Sequence, residues 1–276
     1  MSTDLFDICA LAKNRARARR MQEPALFLHE LVAEQISERL NEVNRTFTNP
    51  AIVSAFPEIW QKYLPDAKII AEDEVLALQP DCHDLIVHAL SLHCSNDPLG
   101  QMIQCRRALK PDGLFLAATF GGQSLFELRA SLAEAESQLA GGLRPRVAPM
   151  AELREIGGLL MRADLALPVA DSDSLSVTYQ DLTALMRDLR AMGEVNAMTA
   201  RAKKFTSRRL FARAAEIYQQ NFAAADDRIN ATFEVIYLTG WSPSDTQPKP
   251  LRPGSATMKL ADALNTVEVP AGKIEL

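Results

Sequence analysis

DLIVHALSLHCSNDPLGQMIQCRRALKPDGLFLAATF (residues 84–120) contains two apolar runs with a segment of helical periodicity between them. The first run, 85–90, is short and bounded by polar residues, as expected of a strand covered on both faces. Apolar residues then recur at helical spacing from Pro98, and the turn at 111–113 predicts the end of that helix. A second strand is predicted at 114–118. Two such strands joined by a helix predict a parallel sheet, whose ligands bind beyond the carboxyl ends of its strands.

Polar residues follow the first of these strands, where a site is expected. His93 could act as a general base near neutral pH, because an unperturbed imidazole has a pKa of about 6.5. It could equally cap the next helix or hydrogen-bond to a loop. Asn96 and Asp97 precede Pro98 and suit the N-cap of that helix, and Asn96 is also a candidate for a catalytic role.

Length and composition are those of an ordinary globular protein. The 276 residues can form one large α/β domain with a helical insertion, and a net charge of −5 argues against binding nucleic acid through its phosphates. The four cysteines lack CxxC pairs and metal-ligand spacing, so we predict reduced thiols and no metal. The sequence contains no apolar stretch near eighteen residues and no apolar signal segment, which predicts a cytoplasmic protein.

The N-terminal segment 10–20, ALAKNRARARR, is rich in arginine. We interpret it as a solvated helix with its basic residues outward, or as a contact with an acidic partner surface. Asp4 and Asp7 argue against a mitochondrial transit peptide, which is poor in acids. A packing helix is predicted at 24–44, from apolar residues that recur every three or four positions.

Longer motifs resemble a known family. The runs DLIVHALSLH and RRALKPDGLFLAATFGGQSLFELR resemble the class I methyltransferase fold. Together with LMRDLRAMGEVNAM, IYLTGW and QPKPLRPGSA, they resemble the methyltransferase-like complex I assembly factors, one of which hydroxylates an arginine of a complex I subunit. The resemblance covers about 4–256. It implies a Rossmann-like sheet with helices on both faces, S-adenosylmethionine as cofactor, and a respiratory complex subunit as protein client.

One part of the chain departs from that family. Class I methyltransferases end their first strand in a glycine-rich turn that lets the backbone approach the cofactor. The matching stretch here, 50–58, contains no glycine, and Phe56 stands where a small residue is needed. The interval before the central strand is also too short for the family's usual elements. We therefore predict that one βα unit is lost and that the cofactor site is degenerate.

The resemblance also implies candidate site residues. Glu72 matches an acid that faces the adenine amino group, although the run 72–74 could simply be a solvated strand end. The predicted cofactor-binding residues are Phe56, Glu72, Asp73 and Ser91. The predicted catalytic residues are His93, Asn96 and Arg190, of which Arg190 is implied only by the family motif.

The second half of the chain predicts further elements. Amphipathic helices are expected at 123–140 and 149–163, and a hairpin with strands 165–170 and 174–179 around an Asp-Ser-Asp turn. A helical insertion is predicted at 180–225, before a last strand at 232–238. The basic residues of this insertion either form a solvated loop and helix start or hold an acidic peptide; they are Arg201, Lys203, Lys204, Arg208, Arg209 and Arg213. We predict one domain, 1–256, followed by a tail, 257–276.

Two functions remain open at this stage. An enzyme would use S-adenosylmethionine to methylate a substrate, or would hydroxylate a protein arginine. A binding protein would retain the fold without its cofactor and hold a client during assembly of a respiratory complex. The altered turn and the missing βα unit favour the binding protein.

Overall fold

The computed structural model describes residues 4–248, 254–255 and 257–267, except for the side chain of residue 140. These residues divide into two compact units, one ending at Ser244 and one beginning at Asp245. The second unit contains a single short helix among its described residues, Leu260–Ala263. The predicted boundary at residue 256 stays a prediction.

Six strands form one mixed sheet within the described part of the first unit. They are β1 (Pro50–Val53), β2 (Lys68–Ile70), β3 (His83–Ala89), β4 (Leu109–Phe120), β5 (Ala166–Tyr179) and β6 (Ile229–Trp241). Their order across the sheet is β2-β1-β3-β4-β6-β5. The first four are parallel, and β6 runs antiparallel to both of its neighbours. This is the predicted α/β fold.

Helices cover both faces of the sheet. They are α1 (Ile8–Arg19), α2 (Phe27–Glu42), α3 (Pro57–Tyr63), α4 (Pro98–Ala108), α5 (Phe126–Ala140), α6 (Leu153–Arg162), α7 (Leu182–Ala191) and α8 (Arg208–Phe222), with 3-10 turns at Leu92–Cys94 and Ala225–Asp227. Successive residues of β3 point to opposite faces, so that Leu85 and Val87 join one core layer and Ile86 joins the other. None of the described helices meets the length and hydropathy that a membrane span requires.

The central unit β3-α4-β4 confirms the prediction from residues 84–120. Asp97 caps α4, because its carboxylate accepts a hydrogen bond of 2.8 Å from the Gly100 amide. The helix ends at Ala108 and β4 begins at Leu109, so the turn predicted at 111–113 lies inside this strand, where Asp112 has φ of +59° and Gly113 has no positive φ. Gly113 is needed for space instead, since a Cβ there would lie 2.9 Å from the Lys110 carbonyl oxygen.

The predicted loss of a βα unit agrees with the topology. Between β1 and β3 the chain forms only α3 and β2, and all of residues 54–82 are described. The sheet therefore ends at β2 on that side. The insertion predicted at 180–225 contains α7 and α8.

The predicted hairpin at 165–179 is wrong. Residues 166–179 form one strand, β5, in which Asp171, Ser172 and Asp173 pair with Tyr237, Ile236 and Val235 of β6. The acidic triplet looks like a turn because it is polar, but β5 is an edge strand whose residues are mostly exposed or half-buried. Polar side chains are expected on such an edge and do not interrupt it.

Candidate functional site

The carboxyl ends of β1, β2 and β3 meet at one edge of the sheet. Phe56 follows β1, Glu72 follows β2, and Ser91 and His93 follow β3. The sequence therefore predicts correctly that these residues are neighbours. This is the edge at which parallel α/β sheets bind their ligands.

Phe56 is completely buried at the start of α3. Its amide donates a hydrogen bond of 3.1 Å to the Ser54 hydroxyl, and its ring packs edge-on against His29 at 4.6 Å. The guanidinium carbon of Arg15 lies 5.8 Å from the centre of the same ring, within the range of a cation–π contact. The Phe56 ring and the Arg15 guanidinium thus occupy the space at the turn after β1.

Arg15 enters this edge of the sheet from α1, and its side chain is only 3% exposed. Its guanidinium lies 2.7 Å from Glu194 and 3.6 Å from Glu72, and donates hydrogen bonds to the carbonyls of Leu90 and Met192. The group that faces Glu72 is therefore Arg15. The prediction that the basic residues of α1 all point outward is wrong for this one.

Gly193 makes room for that arginine. It has φ of +82°, a conformation that other residues rarely adopt, and a Cβ there would lie 3.0 Å from Arg15 Cδ. Glu194, the next residue, is thereby placed against the guanidinium.

Burial and charge set the protonation of these groups. Burial would raise the pKa of Glu194, but Arg15 and His93 outweigh it and hold that pKa well below its usual range. Burial raises the pKa of Glu72, and Arg15 only partly opposes this shift. Burial also lowers the pKa of His29 to about 3, with Arg15 acting in the same direction. Glu194 is therefore the main counter-ion of Arg15.

Little free space remains beside Glu72. The cavity there, which we call the small cavity, has a volume of about 40 Å³ and is lined by Glu72, Asp73, Ser91 and Asn96 among others. Pockets for ligands of cofactor size are roughly 300–1,000 Å³. The small cavity is therefore far below the size that S-adenosylmethionine requires.

Ser91 belongs to a buried polar network. Its hydroxyl donates to Nδ1 of His88 at 3.2 Å, and Nε2 of His88 donates to the Gln101 amide oxygen at 2.6 Å. Gln101 in turn donates to the Asp73 carbonyl at 2.7 Å. Burial lowers the pKa of His88 to about 4, so this imidazole is neutral. The network ties β3 to α4 and to the segment after β2.

A second space, the large cavity, opens on the other side of His93. It has a volume of about 390 Å³, and its walls are mainly apolar, with Phe120, Leu128 and Phe233 among them. Its polar lining includes His93, Cys94 and Glu194. The His93 ring packs against Phe120 at 4.8 Å, and its Nε2 lies 3.2 Å from Glu194 Oε2. The large cavity has the volume and the lining typical of a binding site.

Charge also acts on His93. Burial would lower its pKa, but Cys94 and the Glu194 carboxylate outweigh burial and raise the pKa above its ordinary value. The protonated form of His93 is therefore favoured beside Glu194, and the imidazole must release that proton before its Nε2 can act as a base or as a ligand.

The remaining predicted residues lie away from the large cavity. Asn96 exchanges two hydrogen bonds with the backbone of Phe6, which fixes the segment before α1. Arg190 is exposed on α7, and Asp73 is exposed at the surface. Asn96 and Asp73 line the small cavity, whereas Arg190 lines neither cavity, and the predicted roles of all three stay predictions.

Similar proteins share most of this chain. No protein-family model matches it. Arginine-hydroxylase NDUFAF5, mitochondrial, of Danio rerio is 35% identical over 231 residues, which cover 84% of this chain and 71% of that protein. The protein of the same name from Homo sapiens is 31% identical over 287 residues, which cover 94% of this chain and 83% of the human one. The chain belongs to the NDUFAF5 arginine-hydroxylase family.

A solved structure agrees with the fold of this family member. A crystal structure from Bacillus halodurans, named as a methyltransferase, superposes with a TM-score of 0.50. The superposition covers 76% of this chain and 99% of the other, at 11% identity. At that identity the likeness shows the fold alone, which is the Rossmann-like class I methyltransferase fold predicted from the motifs.

Sequence reasoning missed Arg15 and Glu194 in this family member. Asn14, Arg15 and Ala18 are the buried residues of α1, and they lie on one side of the helix. Ala18 lies on the same side of α1 as Asn14 and Arg15, and its small side chain was a weak indication that this side of the helix is buried. Glu194 follows Gly193 in a motif from which the sequence interpretation took only Arg190.

Proposed function

We propose that this protein assists the assembly of respiratory complex I by binding a protein client in the large cavity, and that it has lost the S-adenosylmethionine site of its fold. The observation that carries the proposal is the buried Arg15, whose guanidinium lies between Glu72 and Glu194 where the strands end. That position corresponds to the place of the cofactor in the fold.

The residues beside Glu72 do not fit S-adenosylmethionine. The turn after β1 lacks glycine, Phe56 is buried in it, and the small cavity of about 40 Å³ is the space that remains. Arg15 also occupies the side of Glu72 at which the adenine amino group would bind. The inferred loss of cofactor binding therefore rests on the lack of space and on the pairing of Glu72 with Arg15.

The large cavity suits a protein client. Arg201 and Ala202 line it, and the chain continues from them into a basic surface of exposed residues. This basic surface is Lys203, Lys204, Arg208 and Arg209. A side chain of the client would enter the apolar cavity, and acidic residues around it would face the basic surface. Ion pairs at such a rim affect the rate and specificity of binding more than its strength.

Filling the large cavity tests this proposal. Ala148 lines the cavity and is half-buried, so Ala148→Phe would occupy part of the space. Ala212, an exposed residue of α8, provides the matched control, Ala212→Phe. Each variant is expressed in cells from which the native gene has been deleted, and assembled complex I is quantified on native gels.

The wild-type protein and Ala212→Phe are expected to restore assembly. Ala148→Phe is expected to fold, as judged by its melting temperature, and to lower the amount of assembled complex I clearly below that of Ala212→Phe. Full assembly with Ala148→Phe would contradict the proposal.

Arginine hydroxylation is the second candidate function. The relatives of 35% and 31% identity carry that name, and the Glu194 carboxylate at the large cavity could pair with a client guanidinium. Methylation remains an alternative only if the cofactor binds. Mass spectrometry of the captured client distinguishes the three functions, because hydroxylation adds an oxygen atom, methylation adds a methyl group, and binding alone adds neither.

The predicted cytoplasmic location stays a proposal. It rests on the four cysteines, which are free in the structure, and on the absence of a long apolar segment from the sequence. The two relatives reported above are named as mitochondrial proteins.

A further inference from the structure

We propose that His93, Cys94 and Glu194 form a binding site for one divalent transition-metal ion, with zinc as the best match, whose remaining coordination position opens into the large cavity. The proposal goes beyond client binding and does not depend on it. The sequence did not predict the site, because Glu194 is 101 positions from His93 along the chain and the cysteine spacings match no metal motif.

The three donors are close enough to share one ion. One imidazole nitrogen, the Cys94 sulfur and one carboxylate oxygen lie within 4.8 Å of one another. The His93 Nε2 and Glu194 Oε2 atoms are 3.2 Å apart. Two ligands of a tetrahedral zinc, each about 2.0–2.1 Å from the metal, are separated by about 3.3 Å. Only small side-chain movements are therefore needed to bring the sulfur into the same tetrahedron.

The chemistry of the donor set also points to zinc. A borderline-soft ion accepts imidazole, thiolate and carboxylate ligands, and zinc sites with mixed nitrogen, sulfur and oxygen donors are common. Hard ions such as magnesium prefer oxygen ligands only. A sulfur and a nitrogen among three donors therefore disfavour magnesium and calcium.

All three residues line the large cavity. An ion held by them would keep one position free for water or for a group of the client. Three protein ligands with one open position are the arrangement of reactive zinc sites, whereas structural zinc sites have four protein ligands.

Neighbouring residues hold the ligands in place. Arg15 pairs with Glu194 Oε1 at 2.7 Å and leaves Oε2 directed at His93. The Phe120 ring packs on the imidazole at 4.8 Å. Binding of the ion would release a proton from His93 and a proton from Cys94 to solvent, and the Arg15 cation offsets the negative charge of the thiolate. Such surrounding contacts orient metal ligands and influence affinity.

Cobalt provides a direct test, since it substitutes for zinc and reports its ligands by colour. The whole protein is freed of metal with a chelator, dialysed, and titrated with Co²⁺ and then with Zn²⁺. We expect one Co²⁺ per chain, visible bands of a four-coordinate ion, a near-ultraviolet band from sulfur-to-cobalt charge transfer, and loss of all bands when Zn²⁺ is added.

Cysteine variants test whether Cys94 supplies the sulfur ligand of the metal ion. Cys94→Ser should remove the near-ultraviolet band and weaken zinc binding at least about tenfold. Cys105→Ser is the matched control, because Cys105 is buried in the opposite core layer against α6 and its thiol lies outside the cluster. Cys9→Ser and Cys82→Ser, at the less buried thiols, should also retain the band. Absence of a charge-transfer band in the wild-type protein, or its persistence in Cys94→Ser, would overturn the proposal.

Discussion

Arg15 is the residue on which the interpretation of the site depends. It is a buried cation with two carboxylates beside it, and its loss would leave Glu72 and Glu194 buried without their counter-ion. The local sequence does not indicate that Arg15 is buried, because four other basic residues lie within five positions of it. Only one of these five basic residues is directed into the protein. Packing against the end of β3 and the segment after α7 determines which one, and the sequence of α1 alone does not show it.

Replacing Arg15 by methionine should destabilise the fold strongly. Removing one partner of a buried ion pair costs about 3 kcal/mol or more, because the remaining charge stays desolvated. We therefore expect Arg15→Met to lower the free energy of unfolding by about 3 kcal/mol in urea titrations. Lys13 lies on the exposed side of α1 and provides the matched control. Lys13→Met should change the free energy of unfolding by less than about 0.5 kcal/mol. Equal stability of the two variants would show that the pairing is unimportant.

The buried His88 should make the free energy of unfolding depend on pH. Its pKa is lowered to about 4 by burial, whereas the unfolded chain has the ordinary value of about 6.5. Its contribution to stability is therefore complete above about pH 6.5 and is lost as the pH falls from there towards about 4. His88→Gln retains a donor towards Gln101 and removes the titration. Its urea midpoint should decline less steeply than that of the wild-type protein across this window, and parallel declines would refute the assignment.

At the level of elements, the strands and helices of the central unit are predictable because their apolar patterns are strong. Of the strand predicted at 85–90, residues 85–89 lie in β3, the strand predicted at 114–118 lies in the longer β4, and 98–108 form α4. The strand β5 is not predictable in the same way. Its acidic triplet is compatible with a turn or with a solvent-exposed edge, and only pairing with β6 distinguishes the two.

The ion pair between Arg39 of α2 and Asp171 of β5 allows the position of β5 to be tested by mutation. It forms a two-pronged ion pair with Asp171, with one hydrogen bond of 3.1 Å, and its guanidinium lies 4.3 Å from the centre of the Tyr237 ring. A double-mutant cycle of Arg39→Met and Asp171→Asn should give a coupling free energy of about 0.5–1 kcal/mol.

The matched control for that cycle is Asp173→Asn. Asp173 lies two positions further along β5, opposite Val235, and should show no coupling with Arg39. Equal coupling at both positions, or at neither, would indicate that Asp171 does not sit beside Tyr237 as described.

At the level of the whole molecule, the six-stranded sheet with helices on both faces is the α/β fold that the family motifs predict. The sequence also indicated the missing βα unit, since the interval between β1 and β3 is short and its turn has no glycine. The sequence predicted Phe56 in the region that the cofactor would occupy, but it did not predict the two charged residues that pack there with it. A side chain from α1, a glutamate after α7 and a phenylalanine before α3 meet there, and those contacts join positions far apart in the chain.

Calorimetric titration of the purified protein with S-adenosylmethionine, and with its demethylated product, tests the central inference most directly. Three features oppose binding of either compound: the buried Arg15, the Phe56 ring and the small cavity of about 40 Å³. They predict no binding tighter than about 100 μM for either one. One-to-one binding of either compound tighter than that would contradict the loss of the cofactor site.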